Sequence, residues 1–171
     1  MRFVFAFFLT AVFLAGCESE EHRAIADLEG GVRVTLAARG LFGLHSDWHR
    51  TLIVEHNGRA VSRELAGDTG WWRGSNLYLA EAGLFVLDEG QNGCIAFRLA
   101  PVRFDDAAAQ CRKRRATLTE GDRAGETDTD QSYIYPSMRY VGRFDEVLGD
   151  RARIVFLPTD GTPEIRLPDP L

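Results

Sequence analysis

The sequence predicts a mainly β chain, folded as a single antiparallel β-sandwich or barrel-like domain with one short helix. Short stretches in which apolar and polar residues alternate recur along the chain, and turn-forming residues separate them about every ten positions. Helical periodicity is confined to one segment. We expect this single β-rich domain to cover residues 30–171.

The first predicted elements are one strand and, after it, a hairpin. Residues 32–36 alternate between apolar and polar side chains, as expected for a strand with one buried face. A strand over 51–56 runs into Asn57-Gly58 and continues at 60–61. Asn-Gly between two such stretches predicts a tight type I′ turn, because both central residues of that turn need positive φ.

The remaining elements follow from the same patterns. We predict further strands over 77–81, 84–87, 94–99, 133–135, 140–144 and 153–157. The best helical segment is 105–115, with Asp105 or Asp106 as its N-cap. The acidic segment 119–131 lacks large apolar residues and predicts an exposed loop. The proline-rich tail after Pro158 predicts an extended segment packed along the surface.

The N-terminus has the pattern of a secretory signal. Arg2 precedes an apolar stretch over 3–13, and the tetrapeptide Leu-Ala-Gly-Cys follows at 14–17. An apolar stretch of about 7–15 residues is too short to span a bilayer of about 30 Å. The tetrapeptide resembles the lipobox of bacterial lipoproteins. This resemblance implies that the signal peptide 1–16 is removed and that Cys17 carries lipid.

The resemblance also implies a place for the protein. A chain tethered through lipid on Cys17 faces the periplasm in the bacterial cell envelope. Glu18 stands where an aspartate retains enterobacterial lipoproteins at the inner membrane, which favours the outer membrane. Residues 17–29 are then the lipidated N-terminus and a polar tether. An ordinary signal peptide followed by a structural cysteine is the alternative.

Charge and cysteine content restrict the partners. Lys and Arg number 20 against 25 Asp and Glu, and this acidic balance argues against nucleic acid, which requires basic patches. With Cys17 modified by lipid, Cys94 and Cys111 are an even pair in an oxidising compartment. We therefore predict a structural disulfide between them. No cofactor is expected.

No catalytic residue or metal site is predicted. His45 and His49 are weak metal candidates, because histidines four apart can share zinc on a helix but predicted strands flank this stretch. The sequence around Ser75 lacks the G-x-S-x-G frame of a reactive serine. The basic stretch 112–115 can be the exposed end of a helix or a contact to anionic headgroups.

The candidate partner-binding residues are Trp71, Trp72 and Arg73. Neighbouring residues on a strand face opposite sides, so both tryptophans do not easily enter one core. Tryptophan and arginine are also the residue types most enriched at binding hot spots. Packing of each residue under a loop is the alternative interpretation.

Three classes of function are compatible with these patterns. By elimination we favour a lipid-anchored binding module with a protein partner, most concretely an immunity or inhibitor lipoprotein that blocks a toxic hydrolase. A structural or assembly lipoprotein of the envelope is the second class. The third is a cryptic metal-dependent hydrolase, in which His45, His49 or His56 would converge with acidic residues.

Overall fold

The fold is described from a computed structural model. It covers residues 20–40, 48–67, 72–119, 131–147, 150–160 and 162–170. Several predicted features lie outside these ranges, namely the signal peptide, the lipidated Cys17, His45, Trp71 and most of the acidic loop 119–131.

Ten strands arranged in two antiparallel sheets dominate the described residues. They are β1 Glu21–Leu28, β2 Val32–Gly40, β3 Trp48–His56, β4 Arg59–Glu64, β5 Ser75–Glu81, β6 Leu84–Asp88, β7 Cys94–Leu99, β8 Val102–Asp105, β9 Arg139–Val147 and β10 Asp150–Pro158. One sheet has the order β1-β2-β3-β4 and the other the order β10-β9-β5-β6-β7-β8. At their edges β1 lies beside β10, and β4 beside β8. The predicted antiparallel sandwich is confirmed.

The main core lies between the two sheets. Strand β3 shows why this core forms. From Trp48 to Val54, buried residues at every second position alternate with partly exposed ones, so one face of the strand is turned to the core. Leu52 meets residues such as Leu77, Phe97 and Phe144 in one apolar cluster. Burying each side chain of this size stabilises the fold by roughly 1.5–3 kcal/mol.

A second apolar cluster covers the opposite face of the six-stranded sheet. Strands β5 and β6 are buried on both faces, so that Leu77 belongs to the first cluster and its neighbour Tyr78 to the second. Residues of the irregular segment after β8, including Ile134, Tyr135 and Met138, complete this cluster. The domain therefore has a third layer that is built from irregular chain.

The Asn57-Gly58 hairpin forms as predicted. The φ angles of Asn57 and Gly58 are 50° and 73°, the positive values that a type I′ turn requires. β3 and β4 pair directly outward from the turn, beginning with His56 opposite Arg59.

The region assigned to a tether contains a strand. Glu21–Leu28 forms β1 and pairs with β2 along its whole length, so the interpretation of 17–29 as a tether is wrong for these residues. The reason lies in side-chain size. Ala24 and Ala26 face the core, while Ile25 is 48% exposed, so the inward positions carry only a weak apolar signal.

The predicted helix over 105–115 is also shorter in the structure. Asp105 ends strand β8, and α1 spans only Ala108–Cys111. The chain then turns, with the disulfide between Cys94 and Cys111 fixing its position as predicted. The predicted strand over 133–135 is a series of bends and turns. In the described part of the chain, no helix has the length and apolar character that a membrane crossing requires.

Candidate functional site

The C-terminal segment 162–170 is held against the six-stranded sheet by polar contacts. Asn76 donates a hydrogen bond of 2.7 Å from Nδ2 to the carbonyl oxygen of Ile165. Arg114 donates from Nη1 to the carbonyl oxygen of Pro168 over 3.1 Å, and from Nη2 to that of Leu167. These contacts fix a stretch of chain that has no regular secondary structure of its own.

Glu164 is a buried side chain of this segment that accepts hydrogen bonds through both of its oxygens. Ser132 Oγ donates to its Oε1 over 2.5 Å, and the backbone N–H of Tyr133 donates to its Oε2 over 3.0 Å. Burial raises the pKa of Glu164, although hydrogen bonds, of which the one from Ser132 is the strongest, oppose the rise. The carboxylate therefore anchors the segment at an electrostatic cost.

An open cleft of about 510 Å³ lies along the C-terminal segment. Its lining consists of three arginines, one acid and three apolar residues: Arg73, Arg143, Ile165, Arg166, Leu167, Pro168 and Asp169. A volume of this size is within the range of small-ligand sites in proteins. The cleft combines a concave shape with hydrogen-bond donors and apolar contact area.

Arg143 is the buried arginine of this cleft, with only 3% of its surface exposed. Its Nη2 donates to the carbonyl oxygen of Arg73 over 2.8 Å and forms an ion pair of 2.8 Å with Asp145 Oδ2. Its Nε and Nη1 have no hydrogen-bond partner among the described residues. Leaving a buried donor without an acceptor costs about 1–3 kcal/mol, so Arg143 has unused donor capacity.

A glycine makes room for this guanidinium. Gly74 has a φ of +85°, which favours glycine, and a Cβ at this position would collide with Arg143 Nη2 and lie 2.7 Å from the carbonyl oxygen of Phe144. The close approach of backbone and guanidinium at this wall of the cleft therefore depends on the absence of a side chain.

The other two arginines differ in how firmly they are held. Arg166 donates from Nη1 and Nη2 to the carbonyl oxygens of Arg115 and Ala116, each over 2.9 Å, and pairs with Asp169 at 2.8 Å. The exposed side chain of Arg73 makes no ion pair with any residue that the structure describes. Arg166 is thus held in place by these contacts, whereas Arg73 is exposed.

The electrostatics of the cleft contrast with those of the chain. Three guanidinium groups face the cleft against Asp169, and Asp145 pairs with one of them, which leaves an excess of positive charge. The whole chain has a formal net charge of −5. Its donors and apolar contacts suit the binding of an anionic group, and its lining supplies neither a hydroxyl or thiol nucleophile nor an imidazole base.

A second polar network lies in the core between the sheets. Arg50 donates from Nη1 to Glu89 Oε2 over 2.8 Å, and Ser75 Oγ donates to the other oxygen of the same carboxylate. The guanidinium carbon of Arg50 also lies 5.5 Å from the ring centroid of Trp72. These residues are buried, so the network stabilises the core and Ser75 is not placed as an accessible nucleophile.

The structure separates the residues predicted to bind a partner. Trp72 is only 4% exposed and donates from Nε1 to Ser75 Oγ over 3.2 Å, so the interpretation of Trp72 as a surface contact is wrong. The indole of Trp72 is buried because the guanidinium of Arg50 lies over its ring and Ser75 accepts the hydrogen bond from its N–H. Arg73 points the other way, is exposed and lines the cleft.

The histidines are dispersed among local contacts. His49 Nε2 lies 2.7 Å from Glu64 Oε1, and His56 Nε2 lies 2.9 Å from Asn57 Nδ2. Among the described residues, no three histidine, cysteine or acidic side chains are grouped as metal ligands would be. The partner candidate of His49, His45, lies outside the described residues.

The basic stretch 112–115 is not uniformly solvated. The side chain of Arg114 is 6% exposed and lies 3.8 Å from the carboxylate of Asp88, although Arg112 and Lys113 are exposed. The sequence patterns single out neither Arg143 nor Arg166. Arg143 reaches the cleft from strand β9, and Arg166 lies in the irregular C-terminal segment, where no periodicity marks it.

Fold and site together define a two-sheet antiparallel β-domain with an arginine-lined cleft along its C-terminal segment. Comparisons of the chain with known protein families, with curated proteins and with solved structures give no significant match.

Proposed function

We propose that this chain is a lipid-anchored binding module of the bacterial cell envelope, and that it captures a protein partner. The most concrete form is an immunity or inhibitor lipoprotein that blocks a toxic hydrolase. The observation that carries the proposal is the arginine-lined cleft, in which two nitrogens of Arg143 have no acceptor among the described residues and Arg73 is exposed. Arginine is enriched at protein interfaces and at their hot spots.

The proposed location in the cell envelope is inferred from the sequence. The lipobox-like tetrapeptide at 14–17 supports lipid on Cys17, and Glu18 supports the periplasmic face of the outer membrane. More than one acyl chain is needed for stable attachment to a bilayer. A protein held there by lipid meets other proteins of the envelope and proteins that arrive from outside the cell. The acidic chain is unsuited to nucleic acid.

The polar groups of the domain support a binding role over an enzymatic one. Arg50 and Ser75 both donate to Glu89 inside the core, where a substrate does not reach them. Glu164 is similarly bonded to the segment that forms the third layer. In the lining of the cleft, Arg143 has two nitrogens without an acceptor among the described residues.

A pull-down tests the proposal. Residues 18–171 include all ten strands and serve as bait in lysates of the producing organism and of its competitors, with mass spectrometry as the readout. We expect one stoichiometric partner, a secreted hydrolase whose activity falls on binding. The same partner should be retained by the Arg59→Gln variant, which changes an exposed arginine on the distant β3–β4 hairpin.

Two outcomes contradict the proposal. Failure to bind any envelope or effector protein more tightly than about 10 μM would exclude a capture role. Stoichiometric capture of an envelope component of the same organism, with no activity inhibited, would replace the inhibitor role by an assembly role.

A further inference from the structure

We infer that the arginine-lined cleft is a carboxylate-binding site, and that the carboxylate it receives adjoins an apolar group. The inference rests on the proposed function, because it names the chemistry through which a partner would occupy the cleft. A carboxylate of this kind has two sources: an acidic-apolar segment of a protein, or a small carboxylic acid. The observations below concern the chemistry that the two share.

The donors of the site are those that a carboxylate uses. Arg143 is buried in the wall of the cleft, and two of its nitrogens have no acceptor among the described residues. Arg73 adds a guanidinium at the solvent side. Guanidinium groups form charge-assisted hydrogen bonds with carboxylates, and the exposed Arg73 can present its fork of N–H groups to both oxygens.

The charge of the site favours a group with one negative charge. Three arginines of the lining and Arg114, which contacts Asp169 at 3.6 Å, stand against three carboxylates, so one positive charge remains uncompensated. The three carboxylates are those of Asp169, Asp145 and Asp88. A carboxylate neutralises this excess. A phosphate monoester carries about 1.5–2 negative charges at neutral pH and would leave the cleft with an excess of negative charge.

The apolar residues of the lining indicate that the ligand carries an apolar group next to its carboxylate. Ile165 is 46% exposed, and it is one of two large apolar side chains exposed in the described part of the chain. It lines the cleft together with Leu167 and Pro168. A ligand that carries an aliphatic group next to its carboxylate would cover Ile165 while its oxygens meet the exposed Arg73 and lie beside the buried guanidinium of Arg143.

The site is also positioned before a ligand arrives. Gly74 allows the close approach of the Arg143 guanidinium, and two backbone carbonyl groups hold Arg166. Side chains that are already ordered lose less conformational freedom on binding. This feature distinguishes the cleft from a solvated patch of arginines.

An NMR titration tests the inference with residues 18–171. The ligands are butyrate, its uncharged isostere butyramide, and inorganic phosphate. We expect butyrate to produce saturable shifts at Arg73, Arg143 and Ile165 that neither butyramide nor phosphate reproduces. Equal shifts with butyramide would overturn the inference, as would preferential binding of phosphate or a lack of saturable shifts at the cleft.

Surface variants then test which side chains are used. Arg73→Gln and Ile165→Ser change exposed side chains, and each is expected to raise the Kd for butyrate about three- to fivefold, as exposed ion pairs and partial apolar burial do. The matched control is Arg59→Gln, which should leave the Kd unchanged. Equal effects of Arg73→Gln and Arg59→Gln would overturn the assignment to this cleft.

Adding butyrate to the pull-down distinguishes the two sources of the carboxylate. Release of the captured partner by butyrate, but not by butyramide, assigns the carboxylate to the protein partner. Saturable butyrate binding with an undisturbed partner assigns it to a small acid and keeps the carboxylate site. Capture of a partner without any butyrate binding retains the proposed function and refutes the inference.

Discussion

Arg50 and Glu89 are a buried ion pair that joins the two sheets. Arg50 lies on β3 of the four-stranded sheet, and Glu89 follows β6 of the six-stranded sheet. Their side chains are 0% and 2% exposed and 2.8 Å apart. Charges in such a place lose their hydration, and the mutual attraction offsets that loss only while both partners are present.

Removal of one partner should therefore be more harmful than removal of both. We expect Glu89→Leu to lower the free energy of unfolding by about 3–5 kcal/mol, because it leaves the guanidinium of Arg50 buried and unpaired. The double variant Arg50→Met with Glu89→Leu should recover a large part of this loss. Urea-induced unfolding of the single and double variants measures the difference.

A surface pair supplies the control for this cycle. Glu21 contacts Arg23 at 2.7 Å while both side chains are about half exposed. Glu21→Gln should change the stability by about 1 kcal/mol or less. A double variant at Arg50 and Glu89 that is less stable than Glu89→Leu alone would show that Arg50 stabilises the core without its carboxylate.

At the scale of elements, alternation in the sequence predicts the strands that have one strongly apolar face. Residues 32–36, 51–56 and 94–99 all lie in strands because large apolar residues fill every second position. The same pattern does not predict β1, because the residues of β1 that face the core are the small Ala24 and Ala26. The preference of a residue for strands comes largely from the packing of its side chain on neighbouring residues. Alanine has a small side chain, so its presence in a sequence gives only a weak indication of a strand.

The opposite error occurs at 133–135, where aromatic residues suggest a strand. Tyr135 packs at 4.8 Å, between ring centroids, against Tyr78 on the outer face of the sheet. The aromatic residues thus serve as a cover and not as a further strand. Periodicity reports that a residue is buried, and it does not say whether its backbone pairs with a strand.

The candidate site could be predicted only in part. The sequence singles out Arg73 because it follows two tryptophans, and Arg73 lines the cleft. Arg143 is separated from it by 70 residues, and only the pairing of β9 with β5 brings the two together. Sites that are built across a sheet from non-local strands leave no spacing in the sequence that a motif could capture.

The disulfide fixes the start of the outer layer to the sheet. It links Cys94, the first residue of β7, to Cys111 at the end of α1, with a sequence separation of 17. Closing a loop of that length restricts the unfolded chain, and the expected stabilisation is about 3 kcal/mol. The bond therefore stabilises the attachment of irregular chain to regular structure.

Replacing both cysteines by alanine should reduce the free energy of unfolding by about 2–4 kcal/mol. Thermal unfolding with and without a reductant provides the measurement. Reduction of the wild-type domain should give a loss of similar size, whereas the Cys94→Ala/Cys111→Ala variant should not respond to the reductant. A reductant-sensitive double variant would contradict the assignment.

At the scale of the whole molecule, two buried carboxylates join the sheet to its outer layer. Asp88 accepts a hydrogen bond of 2.9 Å from the backbone N–H of Gly90 and lies 3.8 Å from Arg114. Burial raises the pKa of Asp88, and the charge of Arg114 opposes the rise. Glu164 resembles it in the direction and cause of its pKa shift. The attachment of the third layer should therefore respond to pH.

The sign of this response follows from linkage. A carboxyl group whose pKa is higher in the folded state than in the unfolded state favours folding when it is protonated. Its stabilising contribution is complete below the unfolded pKa, which is about 4.3 for glutamate, and is lost as the pH rises through the folded value. Acidification should therefore strengthen the attachment of the C-terminal segment through Glu164, in contrast to Asp105, whose pKa is lowered mainly by a hydrogen bond from Arg98.

Glu164→Gln isolates this effect, because glutamine has nearly the same shape and does not titrate. The free energy of unfolding, measured in urea between about pH 7 and pH 4, should shift in favour of the wild-type domain relative to the variant as the pH falls. Comparison with the variant cancels the titration of all other groups that the substitution leaves undisturbed. The exposed substitution Glu21→Gln serves as control, since it removes a carboxylate without disturbing the outer layer. Parallel curves for the wild-type domain and Glu164→Gln would mean that Glu164 titrates alike in both states, and that the segment above the cleft is attached independently of pH.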